Sequence, residues 1–250
     1  MSGVADYLLD PTTWTRDDGL LDRLVEHLGI SALALLVAAV VAIPVGLWLG
    51  HVGRGGFVAL NIGGIGRAVP TYALLVLLVL MPAPFGANVP SFTLALALFT
   101  VPPLLTNTWT GVREADPAAV DAGRGLGMSG WQLLRRVELP MAMPLLLSGL
   151  RLAAVQVVAT TTVVGLVGGG ALGRVIITGF ASQDTRLVVA GAALVALLAL
   201  ATEAGFGAVE RRASRRSRRG GGDAPEDPVP GGSTDEGAGT SAQGAAQAAR

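Results

Sequence analysis

Long apolar runs alternate with short polar segments along most of the chain, and this alternation is typical of a protein that crosses a membrane repeatedly. A run of about 20 apolar residues can span the hydrocarbon core of a bilayer as one helix. Runs of this kind lie at about 28–50, 62–81, 91–112, 147–167 and 187–209. We therefore predict an all-α, polytopic membrane protein with about five transmembrane helices.

Two arginines affect where the second and fourth spans are placed. An arginine at the bilayer centre costs at least about 2.5 kcal/mol. The second span is therefore placed at 62–81, with Arg67 extending toward the nearer membrane face. Arg151 argues in the same way for a fourth span that starts late, near residue 147. Gly168-Gly169-Gly170 is expected to end that span.

Both ends of the chain are polar, but they differ in charge. Residues 1–23 are mainly acidic, and the leucines that follow from Leu20 are spaced along one face of a helix that could lie on the membrane surface. Residues 210–250 start with the arginine cluster Arg211–Arg219 and continue in Gly, Ala, Ser, Pro and acids. The composition of residues 220–250 is too poor in apolar residues to bury a core, so we predict that they form a disordered tail.

The longest charged segment between two spans covers residues 113–144. Asp116 can accept a hydrogen bond from the first turn of a helix, and Pro117 suits its first position. Gly125 and Gly127 are expected to end this helix.

A second short helix is predicted to follow directly in the same segment. Ser129 and Gln132 have the spacing of a capping box, which marks a helix start. Pro140 is expected to end this helix. The segment therefore reads as a helix, a glycine turn and a second helix between two membrane spans.

Composition and charge fit a membrane protein and indicate its orientation. Hydrophobic residues make up 51% of the chain, charged residues only 14%, and the mean hydropathy is +0.58. The formal net charge is zero, and all 18 basic residues are arginine. Under the predicted threading, one side of the membrane holds Arg54, Arg113, Arg124, Arg135, Arg136 and the Arg211–Arg219 cluster. Arginine-rich loops stay in the cytoplasm, so we predict an outside N-terminus and an inside C-terminus.

Little in the chain supports catalysis or ion coupling. With no cysteine there is no thiol chemistry, and with no lysine there is no phosphate-binding P-loop. No carboxylate or histidine is predicted at mid-membrane, where a proton or cation relay would need one. His27 and His51 are expected to be solvated residues of flanking segments. We predict no catalytic residue, no metal site and no cofactor, so uphill transport would need energy from a partner.

The segment 113–144 resembles the cytoplasmic EAA loop of permease subunits from binding-protein-dependent ABC importers. The family pattern is E-A-A, a glycine four residues later, and an aliphatic residue, one spacer and Leu-Pro. Asp121-Ala122-Gly123, Gly127 and Val137-Glu138-Leu139-Pro140 match it at the family's spacing. The sequence departs from the pattern at Asp121, which replaces Glu, and at Gly123, which replaces Ala and should loosen the first helix by about 1 kcal/mol.

This resemblance implies a type I ABC importer permease fold over residues 24–207, with the loop docking into a separate ATP-binding subunit. It implies an ATPase-coupling site made of Asp121, Ala122, Gly123, Gly127, Val137, Leu139 and Pro140. Trp131 is a candidate docking aromatic or an interfacial anchor. The implied partners are an ATP-binding subunit dimer, a second permease subunit, an external substrate-binding protein and membrane lipid. The implied location is a bacterial cell membrane.

Further motifs look like the osmoprotectant branch of these permeases, which imports glycine betaine, choline, carnitine or related quaternary amines. They are Arg67–Pro70, Thr106–Val112, Leu139–Pro144, Ser148–Arg151 and Gly168–Gly173. A permease for methionine or another amino acid stays open as an alternative. Two rivals from other classes are an ion-coupled secondary transporter and a non-transporting membrane scaffold. The substrate-binding residues cannot be named from the sequence.

Overall fold

The computed structural model describes residues 2–53, 56 and 70–220, and this part of the chain is helical and contains no strand. Its helices are α1 (Ser2–Leu9), α2 (Pro11–Thr15), α3 (Leu20–Val52), α4 (Thr71–Leu80), α5 (Val89–Arg113), α6 (Pro117–Gly125), α7 (Gly130–Leu133), α8 (Leu139–Thr161), α9 (Ala171–Ala181) and α10 (Thr185–Gly220). A π-turn (Leu134–Glu138) joins α7 to α8, and a 3₁₀ turn (Thr162–Val167) follows α8.

Four described helical stretches are long and apolar enough to cross a membrane. They are Leu20–Val52, Val89–Arg113, Gly130–Val167 and Thr185–Arg212. The predicted spans at 28–50, 91–112, 147–167 and 187–209 lie within them. Of the predicted span 62–81, residues 62–69 and with them Arg67 lie outside the described residues, and α4 forms most of the remainder.

The packing of α3 against α5 rests on a stripe of small residues. Every fourth residue of α3 from Ala34 to Gly50 is buried. A Cβ on Gly46 would lie 2.8 Å from Cβ of Thr108, and one on Gly50 would lie 2.6 Å from Cβ of Val112. Because small residues let helix backbones approach closely, this stripe holds the second half of α3 tightly against α5.

A larger apolar cluster fills the opposite end of the bundle. It joins α3, α4, α5, α8 and the 3₁₀ turn through buried side chains such as Ile30, Leu75, Leu96, Val157 and Val164. Within a bilayer, side chains of this kind stabilise the fold through close packing rather than through removal from water, because lipid tails are equally apolar.

Helix α10 packs against α8 and α9, and its contact with α8 is partly ionic. The guanidinium of Arg151 donates to the carboxylates of Glu203 and Glu210, with Nη1 of Arg151 2.9 Å from Oε2 of Glu210. The charge of Arg151 is therefore paired across the contact between α8 and α10, which lowers the cost of placing it there. Gly168, with φ +85°, ends the 3₁₀ turn before α9.

Near the start of the chain, the surroundings of His27 differ from what the sequence predicts. Helix α3 runs unbroken from Leu20, so the predicted surface helix and the first span form one element. His27 lies inside this helix and is fully buried, and its Nε2 donates to the carbonyl of Val158, 2.8 Å away. The prediction of a solvated His27 is wrong, because α8 covers this side of α3.

Candidate coupling site

The first helix of the loop, α6, begins where its capping residues predict. Oδ1 of Asp116 accepts a hydrogen bond from the backbone N–H of Ala118 at 2.9 Å, and Pro117 occupies the first turn. The carboxylate satisfies a backbone donor that has no partner within the helix. This confirms the predicted start.

Helix α6 ends in a Schellman motif that depends on Gly127. The N–H of Gly127 donates to the carbonyl of Arg124 at 2.9 Å, and the N–H of Met128 donates to that of Gly123 at 3.2 Å. These bonds require a left-handed residue, and Gly127 has φ +77°. A Cβ on Gly127 would meet nothing within 4 Å, so backbone conformation alone favours glycine there.

The second helix begins with the predicted capping box. The N–H of Ser129 donates to Oε1 of Gln132 at 2.9 Å, and the N–H of Gln132 donates to Oγ of Ser129 at 3.4 Å. Both ends of the glycine turn are thus anchored by local hydrogen bonds.

The prediction that Pro140 ends the second helix is wrong. Helix α7 passes through the π-turn into α8, which contains both Pro140 and Pro144. Pro140 lies in the first turn of α8, directly after the π-turn, and the helix continues through it. The loop therefore has no flexible joint at this end, and α7, the π-turn and α8 form one continuous helical arm.

The residues predicted to form the coupling site fall on two sides of the loop. Asp121, Ala122, Gly127 and Pro140 are exposed, whereas Gly123 is buried and Val137 and Leu139 are half-buried. The carboxylate of Asp121 lies 3.4 Å from Nη1 of Arg124, but both side chains are more than half exposed, so this ion pair adds little stability.

Gly123 is a point of close approach between the two helices of the loop. A Cβ there would lie 2.8 Å from Cδ1 of Leu133 and 3.6 Å from Cγ2 of Val137. The departure from the family's alanine therefore does more than loosen α6, because it lets the arm pack directly against α6.

Two exposed apolar side chains flank the glycine turn. Leu126 is 79% exposed and Trp131 is 68% exposed. The exposed side chains of Asp121, Arg124 and Arg135 lie on the same loop. Large apolar side chains surrounded by charged ones are typical of a protein-binding surface. The sequence singled out Trp131 but missed Leu126, whose only signal is its place beside Gly127.

The sequence also missed a contact at the base of the arm, by which we mean the end of the π-turn where α8 begins. Nδ1 of His51, at the end of α3, lies 2.7 Å from Oε2 of Glu138, the last residue of the π-turn. The side chain of Glu138 is only 5% exposed and that of His51 is 23% exposed. The prediction of a solvated His51 is wrong, since the arm folds back against the end of α3.

A cavity of about 200 Å³ lies between α6 and the ends of α3 and α5. Its lining includes Gly50, Arg113, Val120, Asp121 and Arg124, with His51 and Glu138 in its wall. Within the described ranges, no cluster of His, Asp and Glu is arranged to hold a metal ion. The site offers surfaces for protein contacts.

The sequence matches the family model described as "Binding-protein-dependent transport system inner membrane component" over residues 42–215. It is 32% identical to the carnitine transport permease protein OpuCD of Listeria monocytogenes, over 79% of this chain and 87% of that protein. It is 30% identical to the glycine betaine/carnitine/choline transport system permease protein OpuCB of Bacillus subtilis, over 82% of this chain and 94% of that protein. The choline transport system permease protein OpuBD of Bacillus subtilis is 33% identical, over 78% of this chain and 85% of that protein.

Solved structures show the same fold at lower sequence identity. A chain of the inward-facing MetNI methionine ABC transporter superposes with a TM-score of 0.70 at 21% identity, over 82% of this chain and 98% of that one. A chain of an amino acid ABC transporter with histidines superposes with a TM-score of 0.64 at 21% identity, over 77% of this chain and 93% of that one. The match to the family model, the relatives and the apolar helices agree: this chain is a multi-pass membrane protein that belongs to the family of binding-protein-dependent transport system inner membrane components.

Proposed function

We propose that this chain is the membrane-spanning subunit of an ATP-driven importer for an osmoprotectant quaternary amine such as glycine betaine, choline or carnitine. The observation that carries the proposal is the similarity, over about four fifths of the chain, to permeases named for these compounds. An external binding protein would deliver the amine, and a second permease subunit would complete the path.

The residues of 113–144 support a role in coupling to a separate ATP-binding subunit. Leu126 and Trp131 give an apolar surface for docking, and the capped turn at Gly127 holds it in one geometry. Asp121, Ala122, Gly123, Gly127, Val137, Leu139 and Pro140 would belong to this site. Because the chain has no lysine and hence no P-loop, ATP hydrolysis is assigned to the partner.

The amine is expected to be selected chiefly by the external receptor. A quaternary ammonium has no N–H to donate and is usually held by aromatic faces through cation–π contacts. This chain has only four tryptophans, two tyrosines and six phenylalanines. Trp48 and Trp131 are both more than 60% exposed. A weak site in the permease would let the amine leave once the path opens.

Reconstituted vesicles test the proposal directly. Betaine or choline uptake should require the receptor, the ATP-binding subunit and ATP together, and it should persist without proton or sodium gradients. Methionine serves as the competing substrate, because the amino acid importers share the fold. Uptake by the permease alone under an imposed ion gradient would contradict the proposal, and ATP-driven uptake of methionine only would favour the alternative.

A further inference from the structure

The coupling loop (residues 113–144) follows α5, and its second half continues into the membrane as the arm of α7, the π-turn and α8. Helix α6 packs on α7 and the π-turn, while the cavity separates it from the ends of α3 and α5. A displacement of α6 therefore reaches the arm through these contacts, besides reaching α5 along the short link 114–116. The π-turn lies at the base of this arm, and such turns occur frequently at functional sites.

His51 contacts both the base and the start of the arm. Its Nδ1 donates to the carboxylate of Glu138 at the end of the π-turn. Its Nε2 lies beside Gly130 at the start of α7, where an added Cβ would come within 3.1 Å. The single ring thus bridges α3 to the start and the base of the arm.

The end of α3 that carries His51 is itself held firmly. Gly46 and Gly50 pack against Thr108 and Val112 so closely that no Cβ fits without a shift. A displacement that acts on His51 therefore acts on α3 and α5 as a pair. Since Glu138 is almost fully buried, water competes little for the bond between the two side chains.

We propose that His51 and Glu138 are positioning residues that transmit displacement of the coupling loop to the α3–α5 pair. This inference rests on the proposed function, since it needs a loop that an ATP-binding subunit displaces. The contact acts as a fixed link, so its loss should weaken the stimulation of ATP hydrolysis by the receptor without releasing the ATP-binding subunit.

The test uses the full complex, purified with His51→Ala or His51→Asn. The side-chain amide of Asn can donate from roughly the position of Nδ1, so His51→Asn should keep the bond. We expect His51→Ala to lower the ratio of receptor-stimulated to basal ATP hydrolysis at least about fivefold, with His51→Asn close to the unsubstituted complex. Glu138→Ala should match His51→Ala, and the double variant should be no worse than either single one.

Arg212→Ala is the surface control, because Arg212 is exposed near the far end of α10 and lies outside residues 113–144, so this variant should leave the ratio unchanged. If His51→Ala keeps the ratio, or loses the ATP-binding subunit during purification, the proposal is wrong and the contact is only structural. If the unsubstituted complex shows no receptor-stimulated hydrolysis, the proposed function fails first and this inference fails with it.

Discussion

At the scale of single residues, Gly125 and Gly127 show that two neighbouring glycines can have different roles. Neither has an atom within 4 Å of the position that a Cβ would take. Only Gly127 has a positive φ, +77°, which is unfavourable for a residue with a side chain. The turn between α6 and α7 therefore depends on the backbone conformation of Gly127 and not on space around it.

Substitution of these two glycines should accordingly give different results. Gly127→Val should leave membrane insertion intact but disturb the turn by about 1–2 kcal/mol, so that the ATP-binding subunit is released or uncoupled. Gly125→Val is the matched control and should be tolerated, because it adds the same side chain at a residue whose φ is not positive. For each variant, co-purification of the ATP-binding subunit measures release, and substrate uptake measures uncoupling. Normal uptake and co-purification for Gly127→Val would refute this account of the turn.

At the scale of elements, the packing of α3 on α5 depends on which glycines lie at the contact. Gly46 faces Thr108, whereas Gly29 on the same helix has nothing within 4 Å of its Cβ position. A side chain at position 46 would have to push against Cβ of Thr108 and the carbonyl of Leu105, at 2.8 and 3.1 Å. The contact therefore tolerates little added volume.

Gly46→Val should lower the stability of the folded chain by about 1–3 kcal/mol, because the added side chain separates α3 from α5. Gly29→Ala should leave stability unchanged or raise it slightly, since alanine favours the helix. Thermal unfolding of the purified protein in detergent compares the two. Equal melting temperatures for Gly46→Val and the unsubstituted protein would show that the α3–α5 contact is not tight.

At the scale of the whole molecule, we propose that the coupling loop lies in the cytoplasm and that the turn after α4 lies outside. This orientation is a proposal that rests on the arginine distribution. Ala87 lies in the turn after α4 and Ser129 lies between α6 and α7, so a single pair of positions reports both sides. The chain contains no native cysteine that would give background labelling.

Ala87→Cys should react with a membrane-impermeant thiol reagent added outside intact cells, and Ser129→Cys should react only after the membrane is opened. Ser129 is exposed, so burial does not protect it from the reagent. Labelling of Ser129→Cys from outside would overturn the orientation together with the coupling role of the loop.

The sequence by itself determined those features that depend on neighbouring residues. The start of α6 at Asp116-Pro117, the glycine turn at Gly127 and the capping box at Ser129 are local hydrogen-bonding patterns, and the structure shows each of them. The apolar runs indicated the membrane class for the same reason, because hydrophobicity is summed along a continuous segment.

The tertiary structure alone decided those features that depend on residues distant in the chain. His27 reads as polar, yet α8 buries it, and His51 reads as solvated, yet it meets Glu138. Pro140 reads as a helix end, but the π-turn places it in the first turn of α8. These outcomes follow from contacts between helices, and a linear pattern does not reveal which side chain another helix will cover.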